Sequence, residues 1–216
     1  MKIQKLDFLI GFYVTCVMLS ELMGAKTVPL FTIGSFHVNG TVSLLVLPLV
    51  YSINDIIVEV FGKDRARSLV QTSLTMILFL LVYSLIATNL PPSTRFAPTE
   101  KAYDTIFGIS TRFAAASLVA FIISEFADVY VFSKLKDKLG KTKLWLRTNA
   151  SNFISELLDV LVFMVLAFYS FDMSVAANFS FIAGIALPYY LLRCFMSVIE
   201  TPLVYLGVKW LKKEKK

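Results

Sequence analysis

Three pairs of carboxylates stand at helical spacing inside apolar sequence: Asp55 with Glu59, Glu125 with Asp128, and Glu156 with Asp159. Residues three or four apart share one face of a helix, so each pair presents two acids in one direction. Two of the pairs occupy related nonamers, SEFADVYVF at 124–132 and SELLDVLVF at 155–163, which leaves an internal repeat open. Glu21 and Glu200 bring the acids within apolar runs to eight. Such carboxylates can accept paired N–H groups of a ligand, balance a cationic amine or exchange a proton. Catalysis and metal binding have little support. Neither an H-E-x-x-H nor a G-x-S-x-G motif occurs, and His37, alone of its kind, falls in a predicted outer loop. No catalytic residue, metal or cofactor is expected.

The runs that carry these acids are long and apolar. Of 216 residues, 57% are hydrophobic and only 17% charged, less charge than a water-soluble domain of this size carries. A helix needs about 20 apolar residues to cross hydrocarbon. The pattern predicts spans at 6–24, 41–61, 68–90, 109–133, 149–171 and 177–208. The fold class is therefore an all-α polytopic membrane protein of six helices, forming one transmembrane domain over 1–216. The last helix is long and expected to kink at Pro188 or Pro202. Between the first two spans, TVPLFTIGSFHVNGT reads as an extended connection, and NLPPSTRFAPTEKAYDT reads as a loop. MKIQKLDFLIGFYV starts basic and continues apolar, yet lacks a small-residue cleavage site, so it reads as a retained first helix. Cys16 and Cys194 read as packing residues within spans.

Six spans put both termini on one side. That side holds Lys2, Lys5, Lys63, Arg65, Arg67, Lys134, Lys136, Lys138, Lys141, Lys143, Arg147, Lys209, Lys212, Lys213, Lys215 and Lys216. The other side holds Lys26, Arg95, Lys101 and Arg112. The imbalance places both termini in the cytoplasm. It also explains the net charge of +6 without a nucleic-acid partner. The lipid bilayer is the partner these residues meet, and a homodimer is left open.

The basic rim sets a depth. Glu125, Glu156 and Glu200 each lie nine residues from Lys134, Arg147 and Lys209, and Asp55 lies eight from Lys63. At the helical rise this puts four acids roughly 12–14 Å inside the rim, near mid-membrane. A charge facing lipid at a helix centre costs about 2.5–3.5 kcal/mol. Eight of them must face the bundle interior or water. Only Lys26 and Arg193 lie within or beside the spans to balance them. A donor-rich or cationic ligand near the midplane would satisfy the remainder. Plainer readings stay open. Glu59 and Asp128 can be interfacial, Arg193 can neutralise a neighbouring acid, and Asn54, Asn149 and Asn152 can cap or bridge helices.

The stretch PLVYSINDIIVEVFGKDRARSLV at 48–70 closely resembles the signature of the bacterial queuosine precursor transporter family, within the vitamin uptake transporter group. SEFADVYVFSKLK at 124–136, LWLRTNAS at 144–151, LLDVLVF at 157–163 and ETPLVYLGVKWLK at 200–212 resemble further segments of it in order. The resemblance implies a six-helix protein of the bacterial cytoplasmic (inner) membrane that imports 7-deazaguanine bases. These are the 7-cyano form (preQ0), the 7-aminomethyl form (preQ1) or queuine, salvaged for tRNA modification. Carried onto this chain, the polar positions are Asn54, Asp55, Glu59, Glu125, Asp128, Asn149, Asp159 and Glu200. Asn152, Glu156 and Arg193 join the expected substrate site, with Phe61, Phe126, Tyr130 or Phe195 stacking on a flat deazapurine. Glu21 and Glu156 stand where the family more often shows an amide, which favours an amine-bearing substrate over preQ0.

No Walker A loop occurs, so this chain alone does not hydrolyse ATP. Facilitated diffusion or ion coupling is expected, and protonation of one acid of a pair could provide the latter. Two alternatives are kept: a binding subunit for another vitamin or nucleobase served by a separate ATP-driven module, and an intramembrane enzyme using the paired carboxylates. A purely structural scaffold leaves eight costly acids unexplained.

Overall fold

The computed structural model describes residues 4–34, 36–139, 144–199 and 201–212. Among these, α1 (Lys5–Met23) leads into an antiparallel hairpin of β1 (Thr27–Ile33) and β2 (Phe36–Thr41). A 3-10 turn over Val42–Leu45 precedes α2 (Leu47–Phe61) and α3 (Lys63–Ala87). A second 3-10 turn, Ala97–Thr99, opens α4 (Glu100–Leu139), followed by α5 (Leu144–Phe168), α6 (Val175–Ile199) and α7 (Thr201–Lys212).

Among the described residues, three helical stretches are long and apolar enough to cross a membrane: Lys5–Met23, Asp64–Ala87 and Ala97–Ser124. Val175–Leu191 is a shorter apolar helix of the same character. The chain is thus a mainly helical, multi-pass membrane protein. Two expectations need correcting. The connection read as merely extended is a paired hairpin, so the fold is not purely α. Its Thr, Val, Ile and Phe residues favour strands. Gly34, at φ +61°, takes the left-handed turn conformation, and a register shift falls between Pro29 and Phe31, where proline offers no N–H. His37 accordingly lies in β2 rather than in a loop, with its Nδ1 3.2 Å from Thr32 Oγ1.

The expected second span is interrupted. Its first residues form the 3-10 turn, and the α-helix begins only at Leu47, where Pro48 occupies the first turn without a missing bond. Gly62, at φ +87°, then turns the chain directly into α3. In the expected final span both described stretches, α6 and α7, are helical, and residue 200 between them lies outside the described residues. Pro188 lies inside α6 without ending it. Pro202 lies within α7 without ending it.

Packing joins distant parts of the sequence. Leu9 and Tyr13 of α1, Ile53, Ile56 and Ile57 of α2, Leu69 of α3 and Leu211 of α7 form one buried cluster. Val160 and Met164 of α5 form another with Ile182, Ile185 and Ala186 of α6. Between them, α4 turns a face of small residues inward: Ser110, Ala114, Ala116, Ala120 and Ser124 are buried. Small side chains let membrane helices approach closely. Arg112 closes the end of α5, its Nε donating to the Leu166 carbonyl at 2.7 Å and Nη2 to the Tyr169 carbonyl at 2.6 Å.

The hairpin docks on α6 at Gly184. A Cβ there would lie 2.5 Å from the His37 carbonyl oxygen, a backbone atom with no rotamer to swing away. Gly184→Ala is expected to destabilise the fold by about 1–3 kcal/mol, the usual range for overpacking. The check is thermal unfolding in detergent, with Gly11→Ala, which meets open space, as the comparison.

Candidate functional site

A cavity of about 180 Å³ lies where these elements meet. Its walls are Ser20 and Glu21 from α1, Ser43 from the 3-10 turn, Leu74 from α3, and Phe113, Ser117 and Phe121 from α4. Asp159, Val160 and Phe163 from α5 and Tyr189 from α6 complete it. Residues far apart in sequence therefore share one chamber.

Glu21 is 8% exposed. Ser117 donates its hydroxyl to Glu21 Oε1 at 2.7 Å, across 96 residues of sequence. Seven residues earlier on the same face of α4, Ser110 donates to the Leu22 carbonyl at 3.0 Å. These two bonds fix the end of α1 against α4 and so fix the direction of the carboxylate. Its other oxygen, Oε2, is buried and has no hydrogen-bond partner among the described residues. A buried carboxylate oxygen left without a donor costs free energy, about 1–3 kcal/mol or more for a charged group. Such an atom calls for a water, a proton or a ligand group.

Asp159 supplies a second carboxylate to the chamber from α5. Two acids on one small cavity, with Ser20, Ser43 and Ser117 beside them, make a cradle for N–H donors or a cation. Leu74, Val160 and four aromatic rings form the rest. Phe113 meets Phe163 edge-on at 5.5 Å between centroids and meets Phe168 at 5.0 Å. These T-shaped contacts hold the Phe113 and Phe163 rings in place as walls for a flat ligand.

The expected site residues distribute unevenly. Asp159 lines the chamber, and Glu156, half-buried, precedes it by three residues on α5. Asn54 is half-buried on α2, and its Oδ1 has no hydrogen-bond partner among the described residues. Asp55 and Glu59 are exposed on α2, on the side opposite the buried Ile53 and Ile57. Tyr130 is exposed on α4, with the Lys134 ammonium 4.5 Å over its ring. None of these four lines the chamber. The side chains of Glu125, Asp128, Asn149, Asn152 and Arg193, and the whole of Glu200, lie outside the described residues. Of the proposed stacking rings, Phe126 is exposed, Phe61 packs against the α1–α2–α7 cluster, and the Phe195 side chain lies outside the described residues.

Glu21 belongs to the set of membrane acids read from sequence but not to the expected substrate contacts. Phe113, Ser117, Phe163 and Tyr189 line the chamber without belonging to the expected substrate contacts. One signal was available: Ser110 and Ser117 are seven apart, two turns along one face of an apolar helix.

The family model described as "Putative vitamin uptake transporter" matches residues 41–207. The "Probable queuosine precursor transporter" of Bacillus subtilis (strain 168) is 29% identical over 209 residues, covering 96% of this chain and 85% of that one. The protein of the same description in Haemophilus influenzae is 29% identical over 168 residues, covering 76% and 66%. The "Queuosine precursor transporter" of Escherichia coli (strain K12) is 27% identical over 122 residues, covering 56% and 52%. No solved structure matches the chain.

Proposed function

Since the chain belongs to the vitamin uptake transporter family, we propose that it imports queuosine precursors, 7-deazaguanine bases, through the chamber at Glu21 and Asp159. The carrying observation is the buried Glu21 Oε2, which lacks a donor inside a cavity that also holds Asp159 and is walled by Phe113, Phe163 and Tyr189. The guanine edge of such a base offers a ring N–H beside an exocyclic amine, which one carboxylate can accept together. A second acid pairs with an aminomethyl cation at position 7. The flat bicycle lies against the rings. A cavity of about 150 Å³ is known to admit benzene, so a chamber of about 180 Å³ is of the scale a small fused-ring base needs once side chains adjust.

The reading extends to the bacterial cytoplasmic membrane, with six crossings and both termini inside. The basic residues gathered on one side support that orientation. Transport proceeds without ATP hydrolysis by this chain, by facilitated diffusion or ion coupling. The family is one of transporters, not enzymes.

Two acids in one chamber favour a protonated amine over a nitrile. Hydrogen bonds to charged groups are worth about 1.5–3 kcal/mol, so preQ1 and queuine are expected to compete for uptake roughly 10- to 100-fold better than preQ0. The check is uptake of labelled preQ1 by cells lacking other routes, with unlabelled preQ1, queuine, preQ0 and guanine as competitors. Equal or better competition by preQ0 removes the amine preference. Competition by none of the deazapurines removes the substrate class.

A further inference from the structure

A second cavity, of about 140 Å³, opens between α1, α2 and α3 and shares no lining residue with the first. Its floor is apolar: Ile10, with Ile57 at 1% exposure and Leu69 at 4%. Its rim is polar: Arg65, Ser68 and Thr72 from the first turns of α3. Thr72 donates its hydroxyl back to the Ser68 carbonyl at 2.7 Å, so its donor is spent within the helix. Ser68 Oγ and the Arg65 guanidinium are exposed, and neither enters a hydrogen bond or ion pair among the described residues. Nearby basic charge is used differently. Lys5 donates to the Trp210 carbonyl at 2.7 Å and lies 4.9 Å over the Trp210 ring.

We propose that this cavity is a binding site for an anionic phospholipid, its phosphate on Arg65 and Ser68 and an acyl chain along Ile10, Ile57 and Leu69. The dimensions suit that ligand. Arg65 and Thr72 are separated by seven residues, about 10 Å along the helix axis, the depth over which a lipid passes from phosphate to hydrocarbon. Arginine matches a phosphate with a planar fork of donors. The charge also fits. Residues 63–67, KDRAR, carry three basic side chains against one acid, and basic pockets between membrane helices recognise anionic headgroups. A free phosphate would meet the same guanidinium but would leave the apolar floor uncovered.

The experiment uses the full chain, purified in detergent, with thermal unfolding measured as phosphatidylglycerol, phosphatidylcholine or inorganic phosphate is added. Phosphatidylglycerol is expected to raise Tm by roughly 5 °C more than phosphatidylcholine, and phosphate alone to add nothing. Arg65→Gln should remove most of that difference. Arg67→Gln, in the same segment but outside the cavity, should keep it. Ile10→Trp fills the floor without touching charge and should also remove it. Equal response to the two lipids in the unaltered protein overturns the site. So does full retention in both Arg65→Gln and Ile10→Trp. A shift reproduced by inorganic phosphate overturns the lipid as its occupant.

Discussion

Glu21→Gln is expected to lower uptake of a deazaguanine substrate by roughly 10- to 100-fold, the cost of about 1.5–3 kcal/mol for losing a hydrogen bond to a charged group. The amide keeps the side-chain volume. Its oxygen still accepts the Ser117 hydroxyl that Oε1 accepts at 2.7 Å. Only the second oxygen changes, and it changes in sense: an acceptor without a partner becomes an N–H₂ donor. A ligand that presents N–H groups or a cation then meets donors. Because the tie between α1 and α4 survives, the protein should unfold at a temperature close to that of the unaltered chain. Uptake of labelled preQ1, normalised to protein in the membrane, makes the check. Wild-type uptake by Glu21→Gln would show that the chamber is not the path. Loss of both uptake and thermal stability would make Glu21 a packing residue only.

The largest loss of stability is expected from Asn178→Ala. Asn178 is 2% exposed at the start of α6. Its Oδ1 accepts the Ser170 N–H at 2.8 Å, and its Nδ2 donates to the Ser170 carbonyl at 2.7 Å and to the Met173 and Ser174 carbonyls at 3.2 Å. One side chain thus satisfies the backbone of the turn between α5 and α6. Alanine leaves the Ser170 N–H and carbonyl without these partners in a part-buried place. Each such group costs about 1–3 kcal/mol, so the sum is roughly 2–5 kcal/mol. Thermal unfolding in detergent should show a fall of several degrees or more. Asn178→Asp keeps the acceptor but not the donors and should fall between the two; a Tm unchanged in Asn178→Ala refutes the role. The turn at Ser170 lies eleven residues beyond Asp159, about three helical turns away, so a lowered uptake that tracks the lost Tm is expected and does not mark Asn178 as a ligand contact.

The sequence was legible where physics is local. Hydropathy located the main helices because lipid tolerates few charges over 20 residues. Asp159 stood out for the same reason, as an acid costly to place in lipid. Glu21 was visible as an acid, yet its neighbours Leu22, Met23 and Gly24 carry no mark of the α4 face that meets it. The partner, Ser117, lies 96 residues away, and helices apolar on every side do not reveal which stripe turns inward. Asp55 and Glu59 show the converse. Their spacing correctly gives them one face of α2, but the buried Ile53 and Ile57 claim the opposite face, so the acids point outward. The hairpin was obscured because Pro29, Gly34 and Gly40 read as breakers, while pairing between strands is set by register rather than by either strand alone. Further along, Leu211 brings α7 against α1 and α2 in one buried cluster, a contact between distant segments that no local pattern announces.

That final arrangement bears on how the molecule is made. Lys5 and Trp210, 205 residues apart, are in contact, and Ile56 of α2 packs where Gly207 of α7 leaves room. Helices inserted first during synthesis therefore wait with part of their seam open until α7 leaves the ribosome, more than a hundred residues later. The seam between α1, α2 and α7 cannot close before α7 emerges, and a nascent protein stalled earlier leaves Leu9, Tyr13 and Ile56 without that cover.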